Sequence, residues 1–325
     1  MTTHANRTVR AIQTLMLPLA LLFLLTGCAT AMRPTTAQPL TADQIAELWV
    51  DPGDIASRDL FNGPGGSEGA PDPKARYKVT GVDATGYSAG YDVVDPQGRE
   101  WKVKLGKEVQ SEIVSSRIVW AIGFHQPPTY YVSQLSLDGG KPEDQGQPAR
   151  LRGEEGYKTE SIWSWHENPY VGTQPLKGLL VANLIVNNWD LKPSNNRIYL
   201  LAEGTPAPRR RFVVQDLGAS LGRTRWPVGN RNDPDAFESQ KLIAKVANDV
   251  VDFDYHARHD ELFKDIRPAD VVWTCRLLSR ITDEQWHALF RAADYSDTLA
   301  QRFIAKLKSK IAEGLALEKQ ALAIQ

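Results

Sequence analysis

The sequence predicts an α+β chain with a β-rich first half and a mainly helical second half. Three observations carry that expectation. Short alternating runs at 77–82, 88–94 and 100–105 are separated by turn-forming residues, the period-2 pattern of strands. From residue 236 onward apolar residues recur at three and four, giving candidate helices at 237–251, 268–280, 282–293 and 296–317. Between these regions an apolar helical run, 176–186, delivers the polar stretch Asn187-Asn-Trp-Asp-Leu-Lys-Pro-Ser-Asn-Asn196, and a strand-like run, 197–201, leads away from it.

The chain has 325 residues, 42% hydrophobic and 24% charged, enough for one large domain or two small ones. A formal net charge of −1 gives no basic excess, so a nucleic-acid partner is not expected. Only Cys28 and Cys275 are present, and six scattered histidines are not expected to form a ligand cluster with them.

The N-terminus reads as a targeting segment. Arg7 and Arg10 precede an apolar run at 15–25 that is too short to span a bilayer alone. The run ends in Leu25-Thr-Gly-Cys28, which resembles the bacterial lipobox. That resemblance implies a signal peptide at 1–27 and a lipid anchor on Cys28. Ala29 after the cysteine implies the outer membrane, with the protein facing the periplasm. A polar, proline-bearing tether follows, and 28–75 is expected to be tether and N-terminal extension. Cys275, in an apolar helical pattern, is expected to be a small core residue.

Residues 40–48 read as a short helix, with Thr41 as cap and Gln44 three residues on. The Gly/Pro/Asp-rich stretch 52–75 reads as a surface loop. The first two strands are joined by a segment carrying Gly86 and Gly90. Such glycines could let backbone N–H groups approach a nucleotide's phosphates; an ordinary hairpin turn explains them equally. In the third strand Lys102 and Lys104 share one face. Residues 108–122 form a helix with Glu108 and Glu112 one turn apart. A strand at 130–135, a polar loop at 138–148 and an aromatic-rich segment at 161–170 follow. Two strands, 197–202 and 211–215, should flank a hairpin that places the Asp190 loop at one end and Asp216 at the other. His256, His259 and His287 read as surface or core-edge residues rather than ligands.

The chemistry concentrates in two short motifs. Asp190, Lys192 and Asn195 have the spacing D-x-K-x-x-N that phosphoryl transfer requires. A carboxylate orients a hydroxyl and accepts its proton, a lysine neutralises the moving phosphoryl group, and an asparagine oxygen ligates magnesium. About twenty residues on, Val213-Val-Gln-Asp-Leu-Gly218 is an apolar strand ending in Asp-x-Gly, which offers Asp216 as a second metal ligand.

Asp190-Leu-Lys-Pro-Ser-Asn195 resembles the catalytic loop of the protein-kinase superfamily, and Asp216-Leu-Gly218 resembles its Asp-Phe-Gly metal motif. The resemblance runs through the element order of roughly 77–300. It implies a bilobal protein-kinase-like fold, with a small β-rich N-lobe at 76–165 and a mainly helical C-lobe at 166–325. It implies ATP and Mg2+ as cofactors. Lys104, or else Lys102, would hold the nucleotide phosphates and pair with Glu112; Gly86 and Gly90 would cover them. Asn195 and Asp216 would bind the metal, and Asp190 and Lys192 would serve catalysis. The segment 161–170 falls where the family places its inter-lobe hinge, and its aromatics could stack on an adenine there or pack between the lobes. Departures are informative. Asn188-Trp189-Asp190 replaces His-Arg-Asp, and no Ala-Pro-Glu follows Asp216, so the pattern is closest to divergent members such as secretory-pathway, spore-coat and HipA-like kinases. The implied function is a membrane-anchored phosphotransferase with an unidentified protein or small-molecule acceptor. The alternatives are a catalytically inactive kinase-like module and a purely structural envelope lipoprotein.

Overall fold

The computed structural model describes residues 39–83, 88, 90–225 and 229–318. Cys28, the signal segment and Gly86 lie outside them. No helix among the described residues is long and apolar enough to cross a membrane.

Thr41 caps α1 (Ala42–Ala46) with the reciprocal Gln44 bond expected from sequence. The stretch 52–75 is irregular but is no mere surface loop. Ile55 and Leu60 are buried in the larger core, and the Gln285 amide donates to the carbonyls of Ile55 and Arg58 at 2.7 and 2.8 Å.

The smaller lobe is a six-stranded sheet. β1 (Arg76–Asp83), β2 (Gly90–Val94) and β3 (Glu100–Leu105) form the expected antiparallel meander. Tyr77, Tyr91, Val93, Trp101 and Val103 alternate inward along it and make a separate core. α2 (Val109–Ala121) follows β3. β4 (Thr129–Val132) and β5 (Ser136–Asp138) take opposite edges, and β6 (Ala149–Gly153) lies between β4 and β3, giving the order β4-β6-β3-β2-β1-β5. β6 was not expected from sequence, although Ala149 and Leu151 alternate with Arg150 and Arg152.

Beyond it, β7 (Tyr157–Ser161) pairs with β8 (Asn196–Leu201), and β8 with β9 (Arg210–Val214). α3 (Gln174–Ile185), capped by Thr173, is buried nearly all round, as its continuous apolar sequence requires. Trp163, Trp165 and Tyr170 sink into the larger core, so of the two readings of 161–170 the packing one holds.

The helix expected at 237–251 is absent. A short α4 (Pro234–Glu238) gives way to a hairpin of β10 (Ile243–Ala247) and β11 (Val250–Phe253). Asn248 and Asp249 sit at its tip with φ of 51° and 60°, the left-handed pair that a tight hairpin demands and that Asn and Asp tolerate. Ile, Val and Phe on either side favour strands, and this local chemistry overrides the loose helical spacing. α5 (Pro268–Leu278), α6 (Asp283–Arg291) and α7 (Asp297–Leu315) match expectation, and Cys275 is buried in their core.

Candidate functional site

The loop after α3 is set by its buried amides. Asn187 adopts φ 54°, and its side chain donates to the Gly222 carbonyl at 2.7 Å while accepting from the buried Lys310 ammonium of α7. Asn188 accepts from the Asp190 backbone N–H at 3.2 Å, and Tyr255 donates to the Asn188 carbonyl at 2.9 Å. The loop is thus held from two directions before it reaches Asp190. There the carboxylate lies 2.8 Å from Lys192 Nζ. The Asn195 amide nitrogen donates to the Asp190 carbonyl at 2.8 Å, which leaves its Oδ1 as the group available to a metal.

Asp216 arrives from the other side of the same hairpin. Asn196 pairs with Val214, and the Gln215 N–H donates to the Asn195 carbonyl at 2.8 Å, so Asn195 and Asp216 are neighbours across the β8–β9 end. Two hard oxygen donors at one hairpin end are of the chemistry that suits magnesium. Asp216 sits at φ 53°, an unusual conformation for a non-glycine residue. Two residues later Gly218 makes a close approach: a Cβ there would lie 2.8 Å from Glu108 Cβ and 3.0 Å from the Glu108 carbonyl oxygen. Ser111 donates to the Gly218 carbonyl at 2.7 Å, and the Ser115 and Ser220 hydroxyls share a 2.7 Å bond. α2 and the Asp-Leu-Gly turn are therefore stitched together by small residues.

That contact brings α2 to the lysine strand. Lys104 Nζ lies 3.3 Å from Glu112 and 3.4 Å from Glu108, and it hydrogen-bonds Asp216. Lys102 turns to Asp92 at 2.8 Å and is 42% exposed, so Lys104 is the lysine at the convergence. Burial pulls the Lys104 ammonium down, but Glu112, Asp216 and Glu108 outweigh it and hold it above its ordinary range. Burial pushes the Asp216 carboxyl up, but Lys104, with Arg150 and Arg152 behind it, brings it below its ordinary value. Asp216 keeps 40% side-chain exposure while ringed by these charges because it faces an open cleft.

The cleft has a volume of about 610 Å³. Gly90, Lys104, Asp190, Lys192, Asn195 and Asp216 line it, and Glu112 reaches Lys104 from behind. Sequence reasoning missed three charged contributors, Arg150, Arg152 and Arg231. Arg150 Nε lies 3.0 Å from Glu112 without hydrogen-bond alignment. Arg231 bonds Glu108 at 2.8 Å and stacks on Trp189 at 5.0 Å, while Glu108 also accepts from Ser88 at 2.6 Å. Arg152 Nε and Gln215 Nε2 are buried and have no hydrogen-bond partner among the described residues; both border a cavity of about 10 Å³, room for one water. The alternating Arg-x-Arg of β6 was the available signal for Arg150 and Arg152. Arg231 had none.

The histidines are not all scattered, which corrects the sequence expectation. His166 and His259 meet at Glu261, with Nε2 and Nδ1 lying 3.2 and 3.0 Å from its carboxylate.

A β-rich lobe whose lysine pairs with a helix glutamate, over a helical lobe carrying Asp-x-Lys-x-x-Asn and Asp-x-Gly, is a bilobal protein-kinase-like α+β fold. Among solved structures the chain is similar to the Helicobacter pylori proinflammatory kinase CtkA, at 11% identity and a TM-score of 0.48, over 74% of this chain and 97% of that one. It is similar to the Golgi casein kinase at 8% identity and a TM-score of 0.39, over 75% and 73% of the two chains. The same kinase with Mn/ADP bound matches at 9% identity and a TM-score of 0.39, over 74% and 72%. No family model and no curated protein matches the chain.

Proposed function

We propose that the protein is an ATP- and Mg2+-dependent phosphotransferase held at the bacterial cell envelope by a lipid on Cys28, at the outer membrane and facing the periplasm. The observation that supports it most is that Lys104, Asp190, Asn195 and Asp216 line one cleft of about 610 Å³ while Lys104 is paired to Glu112 at 3.3 Å. Lys104 would hold the nucleotide phosphates, positioned by Glu112 and Glu108. Asn195 Oδ1 and the Asp216 carboxylate would hold magnesium, which neutralises phosphate charge when bound. Asp190 would orient an acceptor hydroxyl and take its proton as the oxygen bonds the γ-phosphorus and the bond from that phosphorus to the oxygen of the departing ADP breaks, and Lys192 would face the charge that builds on the transferring group. Gly90 lies opposite Lys104 in the β2–β3 register, where its backbone rather than a side chain would border the phosphates.

The test is transfer of the labelled γ-phosphate of ATP to the protein itself or to an envelope fraction. Transfer should vanish in Asp190→Ala and in Asp216→Ala, with both variants folded by circular dichroism. Absence of transfer in the wild type, with nucleotide binding retained, would turn the assignment to the second reading, a non-catalytic nucleotide-binding module. One observation favours that reading: Lys104 is already neutralised by three carboxylates.

A further inference from the structure

Outside the cleft, two segments of the larger lobe meet in a cluster of metal-binding side chains. The first is the segment after β7. Its turn is pre-ordered: the His166 N–H donates to Ser164 Oγ at 3.2 Å, the Asn168 amide donates to the Ser164 carbonyl at 2.9 Å, and Trp165 is buried beneath. The second follows β11, where His259 precedes the 3-10 turn Asp260–Phe263 that carries Glu261. His259 adopts φ 65°, ψ 35°, a left-handed conformation that costs energy for a non-glycine residue and is retained only where the surroundings hold it.

We propose that His166, His259 and Glu261 form a zinc site that clamps these two segments together. Glu261 Oε1 stands 3.2 Å from His166 Nε2 and 3.0 Å from His259 Nδ1, and all three donor atoms lie within 4.8 Å of one another. Ligands at 2.0–2.1 Å in a tetrahedron are about 3.3 Å apart, so both N–O edges are already near their bound length. Two imidazoles and one carboxylate suit zinc far better than magnesium or calcium, which prefer all-oxygen ligands. The side chains remain 44%, 28% and 44% exposed for His166, His259 and Glu261, so the fourth position opens to water and the ion exchanges with solvent. The site is independent of the cleft and of the phosphotransferase reading.

The test is calorimetric titration of zinc chloride into the untagged full-length chain. One zinc per chain is expected, with affinity reduced at least about tenfold by His166→Ala and by His259→Ala, the loss that even an outer-layer partner of a metal site causes. Glu261→Gln, which keeps the side-chain shape, should show a similar loss if either histidine variant fails to fold. Asp216→Ala should leave the affinity unchanged. Cobalt substitution should give the intense visible bands of a four-coordinate ion, and these should disappear in His259→Ala. No zinc binding, binding indifferent to both histidines, or binding abolished by Asp216→Ala would overturn the proposal.

Discussion

Replacing Lys104 by Met tests the charge balance on which the cleft is built. Three cations, Lys104, Arg150 and Arg231, stand against three carboxylates, Glu108, Glu112 and Asp216. Methionine keeps the length of the side chain and removes the central charge. At 3.3 Å and an effective dielectric constant near 20, each direct contact has a gross Coulomb energy of about 5 kcal/mol. Much of this is offset by the desolvation of a side chain only 12% exposed, beside glutamates at 6% and 5%. Arg150 and Arg231 would still partner Glu112 and Glu108, so the net loss should fall at the low end for a broken buried pair, about 3 kcal/mol at pH 7. In the wild type the depressed Asp216 carboxyl contributes stability above its unfolded value, and that contribution is lost as the pH falls through the folded value. In the variant Asp216 has lost the Lys104 charge that outweighs its burial, so protonation relieves it and the penalty shrinks on going to pH 5. Urea unfolding at both pH values measures this. A loss below about 1 kcal/mol at pH 7, or an equal loss at pH 5, would refute the reasoning.

Further outcomes follow from other contacts. Gly218→Ala places a Cβ against Glu108, so α2 must shift; a cost of about 1–3 kcal/mol is expected in urea unfolding, with weakened nucleotide binding in calorimetry. Lys310 is fully buried, and burial pulls its ammonium down to about 7. The unfolded chain therefore binds more protons between that value and the ordinary lysine value, and stability rises with pH across this window. Lys310→Met should flatten the rise, as read by chemical unfolding at pH 7 and pH 9. His125 is held down to about 4 by burial, despite its 2.7 Å contact with the Ala46 carbonyl oxygen. Stability should therefore fall as pH drops from 6.5 toward 4, and His125→Gln should remove that part of the acid slope.

The parts of the site that depend on local sequence were legible. Asp190, Lys192 and Asn195 sit in one turn, and the strand hairpin that brings Asp216 beside Asn195 follows from two apolar runs of similar length. The choice between Lys102 and Lys104 was not legible, since both share a strand face and only the position of Asp92 and of α2 separates them. The hairpin at 243–253 was misread as helix because its apolar spacing suits either period; the Asn248-Asp249 pair was the deciding local cue. Arg231 and the His166–His259–Glu261 cluster join segments far apart in the chain, and no local pattern encodes such a meeting.

Calorimetric titration of Mg-ATP into the wild type and into Asp216→Asn tests most directly whether the cleft holds a nucleotide through its metal. One site per chain is expected in the wild type, dependent on Mg2+ and weakened at least about tenfold when the carboxylate becomes an amide. No binding to the wild type, or the same affinity in both proteins, would contradict the account.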